Sequence, residues 1–148
     1  MTMRNSAAAL DVAVALPQRA ARLNRLLYRH STRELSRTEA GVLSTLSEQR
    51  RRITELAEME GLAQPTVTVL VGKMEERGLV SRERDTSDGR AVLVDITDEG
   101  RAALDRLRAQ YREVLGERMA SMSREEVAAM RAASETLGAL IDALQQGD

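Results

Sequence analysis

Only one stretch of this chain alternates with the period of a β-strand, and it constrains the fold more than any other feature. Residues 91–96, Ala-Val-Leu-Val-Asp-Ile, put Val92, Val94 and Ile96 at every second position. Side chains of a strand alternate between its two faces, so these three share one apolar face. Ser87, Asp88 and Gly89 just upstream are turn formers, and Val80 to Arg84 supply the preceding strand. A lone two-stranded hairpin is marginal in water, so this one must lie against helices. The core available to it has no Phe, no Trp and only two Tyr, which leaves Leu, Val, Ala, Ile and Met. Such a mixture suits packed helices, and the expected class is mainly α with one hairpin.

The helices are marked by their ends. The first is expected over about Ala7 to Arg29, with Leu10, Val14, Leu23, Leu26 and Leu27 as its stripe and a kink or break at Pro17. Ser36-Arg-Thr-Glu39 fits a capping box and opens the second, whose buried side is Val42, Leu43 and Leu46. A short third helix begins at Ile53–Thr54, with Thr54 as its cap, carries Leu56, Ala57 and Met59 inward, and stops at Gly61. The fourth spans about Gln64 to Arg77, tolerates Pro65 in its first turn, and aligns Val67, Leu70, Val71 and Met74 before Gly78 ends it. After the hairpin, Asp98 and Glu99 open a fifth helix running to about Met119. A second capping box, Ser123-Arg-Glu-Glu126, opens the sixth. There Val127, Met130, Ser134, Leu137, Ile141 and Leu144 recur three and four apart, a heptad-like seam.

Two short helices joined around residues 61–63 and followed by a hairpin read as a winged helix-turn-helix. Such a pair puts one helix end into the DNA major groove, which is about 12 Å wide. Early, outward positions of the fourth helix are Gln64, Pro65, Thr66, Thr68 and Val69. Gln and Thr bond base edges, and Val69 packs against a thymine methyl. Lys73, one turn on, reaches a phosphate. In the hairpin, six charged side chains fall within residues 82–90: Arg82, Glu83, Arg84, Asp85, Asp88 and Arg90. A narrow minor groove attracts inserted arginine. Arg90 is placed for that role, with Asp88 bracing its guanidinium and Arg82 and Arg84 flanking it.

Net charge is −1, but its distribution is uneven: residues 1–52 sum to +6, residues 53–90 to −3 and residues 91–148 to −4. A nucleic-acid surface must therefore be one face rather than the whole molecule. No Cys is present, so disulfides and thiol sensing are excluded. A single His and no Gly-rich phosphate loop leave no metal constellation and no nucleophile motif. Neither an enzyme nor a cofactor is expected. Two Tyr are too few to build a stacking platform for single strands. No apolar run reaches the length of a membrane span and no signal segment opens the chain, so a cytoplasmic protein is expected.

Residues 53–100, ITELAEMEGLAQPTVTVLVGKMEERGLVSRERDTSDGRAVLVDITDEG, resemble the MarR family of bacterial transcriptional regulators. Most specific are Glu76-Arg-Gly-Leu-Val-Ser-Arg82, then Asp85-Thr-Ser-Asp88-Gly-Arg90 and Leu-Val-Asp-Ile-Thr97. The resemblance implies a homodimer built by the first, fifth and sixth helices, with Leu10, Val14, Val127, Met130, Leu137, Ile141 and Leu144 at the interface. It divides the chain into an N-terminal dimerisation helix at 1–34, a winged domain at 35–97 and C-terminal dimerisation helices at 98–148. It implies a fourth helix reading the major groove of a palindromic operator through Thr66, Thr68 and Lys73, and a wing carrying Asp88 and Arg90. It also implies a repressor of its own or a nearby operon, released by a small, often aromatic inducer, for which Arg22, Tyr28 and His30 are candidate contacts. Two positions depart from the family pattern. Ala63 stands where a capping Ser is usual, which forgoes about 1 kcal/mol, and Val69 stands where a basic or polar residue is common. The alternative reading is a winged-helix module for protein interaction with no specific DNA site.

Overall fold

A computed structural model describes residues 3–85, 89 and 91–146. Along the chain run α1 (Met3–Arg29), α2 (Arg37–Glu48), β1 (Arg51–Arg52), α3 (Ile53–Glu60), α4 (Gln64–Glu76), β2 (Val80–Arg84), β3 (Val92–Ile96), α5 (Asp98–Met119) and α6 (Arg124–Gln146). The chain forms two compact units, Met1–Tyr111 and Arg112–Asp148. No helix among the described residues is long and apolar enough to cross a membrane.

In the first unit the core is aliphatic, as the composition requires. Leu35, Val42, Leu43 and Leu46 meet Leu56, Val67, Val71 and Met74 of the helix pair, closed by Val80 and Val94 of the hairpin and Ala103 and Leu104 of α5. Strand order is β1-β3-β2, all antiparallel. Val80 pairs with Ile96, Arg82 with Val94 and Arg84 with Val92. Val94 and Ile96 are buried and Val92 packs partly against the core, so the period-two face points inward. Ser36 caps α2 reciprocally: its N–H donates to Glu39 Oε2 at 2.7 Å and its Oγ accepts from the Glu39 N–H at 3.2 Å. Gly100 lets α5 press on the hairpin's entry; a Cβ there would lie 2.0 Å from the Leu79 carbonyl oxygen.

Several expectations require correction. α1 continues through Pro17 as one helix rather than breaking. Thr54 does not cap α3. The cap is Arg52, whose N–H donates to Glu55 Oε2 at 2.7 Å. Glu55 thus fills the third helical position, and a hydroxyl cap is not needed. Met59 is exposed rather than inward, because an eight-residue helix presents only Ile53, Leu56 and Ala57 to the core. The edge strand β1 carries no alternation of its own and was not expected; its two residues pair with Val94 and Leu93.

In the second unit Ser123 and Glu126 form the anticipated capping box, at 2.8 and 3.2 Å. No residue of α6 is buried.

Candidate nucleic-acid interface

The end of α3 sets the angle of the helix pair. Gly61 adopts φ 63°, a left-handed geometry that glycine takes without a Cβ penalty, and Leu62 N–H then returns to the Ala57 carbonyl at 2.9 Å. After this tight stop α4 begins with no side-chain cap at Ala63 and no acid in its first turn. Its positive helix end is left unneutralised, an arrangement suited to a phosphate.

Burial divides α4 as the pattern requires. Val67, Val71 and Met74 face the core; Gln64, Pro65, Thr66, Thr68, Val69 and Lys73 are exposed. Val69 is 59% exposed, a branched apolar side chain standing among polar ones. The Thr68 hydroxyl donates to the Gln64 carbonyl at 2.9 Å. Its hydrogen is therefore engaged within the helix, which leaves the oxygen lone pairs and the methyl group for any further contact.

At the hairpin the arginines differ in kind. Arg82 Nε donates to Glu75 Oε2 of α4 at 2.7 Å. This contact holds the Glu75 carboxyl below its usual range and fixes the hairpin on α4. Arg84, the last residue of β2, is exposed. Asp88 and Arg90 lie outside the described residues. Asp85 is buried, and its Oδ2 accepts from Arg52 Nε and Nη2 at 2.9 and 2.6 Å. One acid of the charged stretch is thus a structural partner rather than an obstacle to DNA.

The far end of α4 is anchored too. Arg77 donates to Glu39 Oε1 at 2.6 Å and to the Glu34 carbonyl at 2.8 Å. Arg106 of α5 grips Glu34 and Glu99 at 2.6 and 2.8 Å. α4 is therefore tied to α2 through Glu39, and to α5 through Glu34 in the segment ahead of α2.

Behind the helix pair, α1, α2 and α5 enclose a groove of about 330 Å³ within the first unit. Asn24, Arg37, Ser44, Arg108 and Tyr111 give it polar walls and Leu104 and Leu107 an apolar floor. The Arg37 guanidinium lies over the Tyr28 ring, 5.8 Å from its centroid. Burial, and then the neighbouring Tyr28, push the Tyr111 hydroxyl's pKa upward. Of the three ligand candidates only half-buried Tyr28 approaches this groove, through Arg37. Arg22 and His30 are exposed and line none of it. No local pattern announces these wall residues, since three helices distant in sequence contribute them. Among the described residues no group of three or more His, Cys, Asp or Glu side chains could hold a metal.

A short helix pair, an outward polar face on its second helix and a braced hairpin define a winged helix-turn-helix DNA-binding protein. The MarR family model matches residues 35–92. An uncharacterized HTH-type transcriptional regulator of Mycobacterium bovis is 30% identical over 123 residues, covering 82% of this chain and 86% of that one. Among solved structures, the PcaV transcriptional regulator of Streptomyces coelicolor, in complex with its natural ligand, is 26% identical with a TM-score of 0.60, covering 83% and 89% of the two chains. A mutant MarR from E. coli shares the fold at a TM-score of 0.73 and 19% identity, over 85% and 95%. The chain belongs to the MarR family of DNA-binding transcriptional regulators, and its function is regulation rather than catalysis.

Proposed function

We propose that this regulator works as a homodimeric repressor on a palindromic operator and is released by a small organic acid bearing an aromatic ring. The observation that carries the dimer is the unburied seam of α6. Met130, Ile141 and Leu144 are exposed, Val127 and Leu137 only half-buried, along a helix with no buried residue. A 23-residue helix with an apolar stripe in water needs a partner to cover it. In α1, Leu10 and Val14 are similarly exposed, at 65% and 67%. Two copies then present two recognition helices to half-sites about one helical turn apart.

The groove between α1, α2 and α5 supports the release step. Arg37 and Arg108 supply cations for a carboxylate, and Leu104 and Leu107 supply an apolar surface for a ring. PcaV, a family relative, binds a ligand of its own. Fluorescence anisotropy against tiled duplexes from the DNA flanking the gene, at two salt concentrations, tests the reading. Tight, salt-sensitive binding to one palindromic tile, weakened by aromatic carboxylates, is expected. Uniform weak binding to every tile would overturn it in favour of a protein-interaction module.

A further inference from the structure

Arg50, Arg51 and Arg52 form the longest run of like charge in the chain, ahead of the helix pair and the hairpin. Adjacent guanidinium groups repel, so such a run needs acids around it or an anion to meet. The structure separates the three. Arg52 is engaged twice, its guanidinium by Asp85 at 2.9 and 2.6 Å and its N–H by Glu55 at 2.7 Å. Asp85 follows β2, whereas Arg52 lies on β1, and β3 runs between them. The ion pair therefore straps the edge strand across the central strand to the far side of the hairpin. It fixes where Arg50 and Arg51 stand.

Those two have no carboxylate partner among the described residues, in contrast to Arg77, Arg82 and Arg106. With the Gln49 amide turned to accept, its oxygen takes hydrogen bonds of 2.6 and 2.7 Å from Arg51. A neutral partner positions this guanidinium without cancelling its charge. Arg50 is exposed.

The geometry points to Arg51 of the edge strand and Arg50 just before it as a phosphate clamp beside the wing, a further contact with the backbone of duplex DNA. Neighbouring strands lie about 4.8 Å apart, and the minor groove is about 6 Å wide. When the β2–β3 hairpin addresses that groove, the next strand over, β1, stands above the groove wall. That wall is phosphate, the anion a guanidinium fork matches best. The inference rests on the DNA-binding role of the hairpin and adds a contact that carries no base preference.

The test compares the wild type with the Arg50→Gln, Arg51→Gln double variant on a duplex of about three helical turns, across a salt series. Each phosphate contact contributes about 0.9 to the slope of log K against log salt. The double variant is expected to flatten that slope by about 1.8 per chain and to leave the ranking of operator variants unchanged. Hydroxyl-radical protection should be lost on the backbone flanking the wing's groove and kept elsewhere. Arg50→Lys with Arg51→Lys, which keeps both charges, should retain most of the slope and so separates charge from packing. An unaltered slope and affinity in the Gln variant would overturn the clamp. Loss of slope in the Lys variant as well would overturn it in favour of a packing role. Failure of the wild type to bind any duplex would overturn the DNA reading and the clamp together.

Discussion

Replacing Gly100 by alanine should destabilise this protein although it improves the helix. In an α-helix interior Ala is favoured over Gly by about 1 kcal/mol. Here the added Cβ would stand 2.0 Å from the Leu79 carbonyl oxygen, 3.0 Å from its carbon and 2.9 Å from Ile96 Cγ1. The nearest obstacle is backbone, so it cannot swing aside as a side-chain end would. α5 must back away from the hairpin's entry by roughly an ångström to restore van der Waals contact. That motion strains two hydrogen bonds: Thr97 Oγ1 donates to the Gly78 carbonyl, and Thr97 N–H to the Leu79 carbonyl at 3.2 Å. Overpacking of a tight interior costs about 1–3 kcal/mol, and more where backbone must move. We expect a net loss of about 2 kcal/mol, a fall in Tm of roughly 4–8 °C for a chain of this size. Gly72→Ala is the matched control. It lies within α4 with nothing within 4 Å of the new Cβ, and should gain stability by about 1 kcal/mol. Thermal unfolding followed by circular dichroism, at one protein concentration for all three chains, reads both shifts. An unchanged or raised Tm for Gly100→Ala would refute the close approach of α5 to Leu79.

Three further outcomes are expected. Thr68→Ala should alter which operator bases are preferred more than it alters total affinity, as measured by anisotropy on single-base variants; uniform loss would point to a phosphate or folding role. Leu137→Asp with Leu144→Asp should yield a monomer in sedimentation, and a persisting dimer would place the interface elsewhere. Glu39→Gln should flatten the acid limb of the stability curve. Burial alone would raise the Glu39 carboxyl's pKa, but the Ser36 amide and hydroxyl and the Arg77 charge outweigh it and hold it below the usual carboxylate range. A lowered folded-state pKa gives stability that is full above the unfolded value and lost as pH falls through the folded one. The difference between wild type and variant should therefore shrink as pH falls below the ordinary glutamate value of about 4.3 in urea titrations.

What the sequence revealed and what it hid follow one rule, the range over which an interaction acts. The boxes Ser36–Glu39 and Ser123–Glu126 close over three residues, and both are present. The hairpin was legible to its register face because Val92, Val94 and Ile96 alternate beside a local turn. Edge strand β1 was not legible, since its pairing is dictated by β3 some forty residues away and not by its own side chains. Thr54 drew the cap assignment because a hydroxyl is the usual signal. The Glu55 carboxylate satisfies Arg52 instead. The groove was hidden most completely. Asn24, Arg37 and Arg108 converge only after three helices pack, and no spacing rule joins them.

The same rule explains why a chain of net charge −1 can bind a polyanion. Several of its ionic groups are paired within the first unit. Arg52 with Asp85, Arg77 with Glu39, Arg82 with Glu75, and Arg106 with Glu34 and Glu99 neutralise one another. These pairs hold the edge strand, both ends of the helix pair and the hairpin in place, and their opposite charges largely cancel at a distance. Exposed Lys73 and Arg84, with Arg50 and Arg51, have no carboxylate against them among the described residues. Lys73 lies on α4, Arg84 on the hairpin, Arg51 on β1 and Arg50 just before it. Acids that lower the total charge thus orient the cations left facing outward, and the field a phosphate backbone meets is set by pairing rather than by the sum.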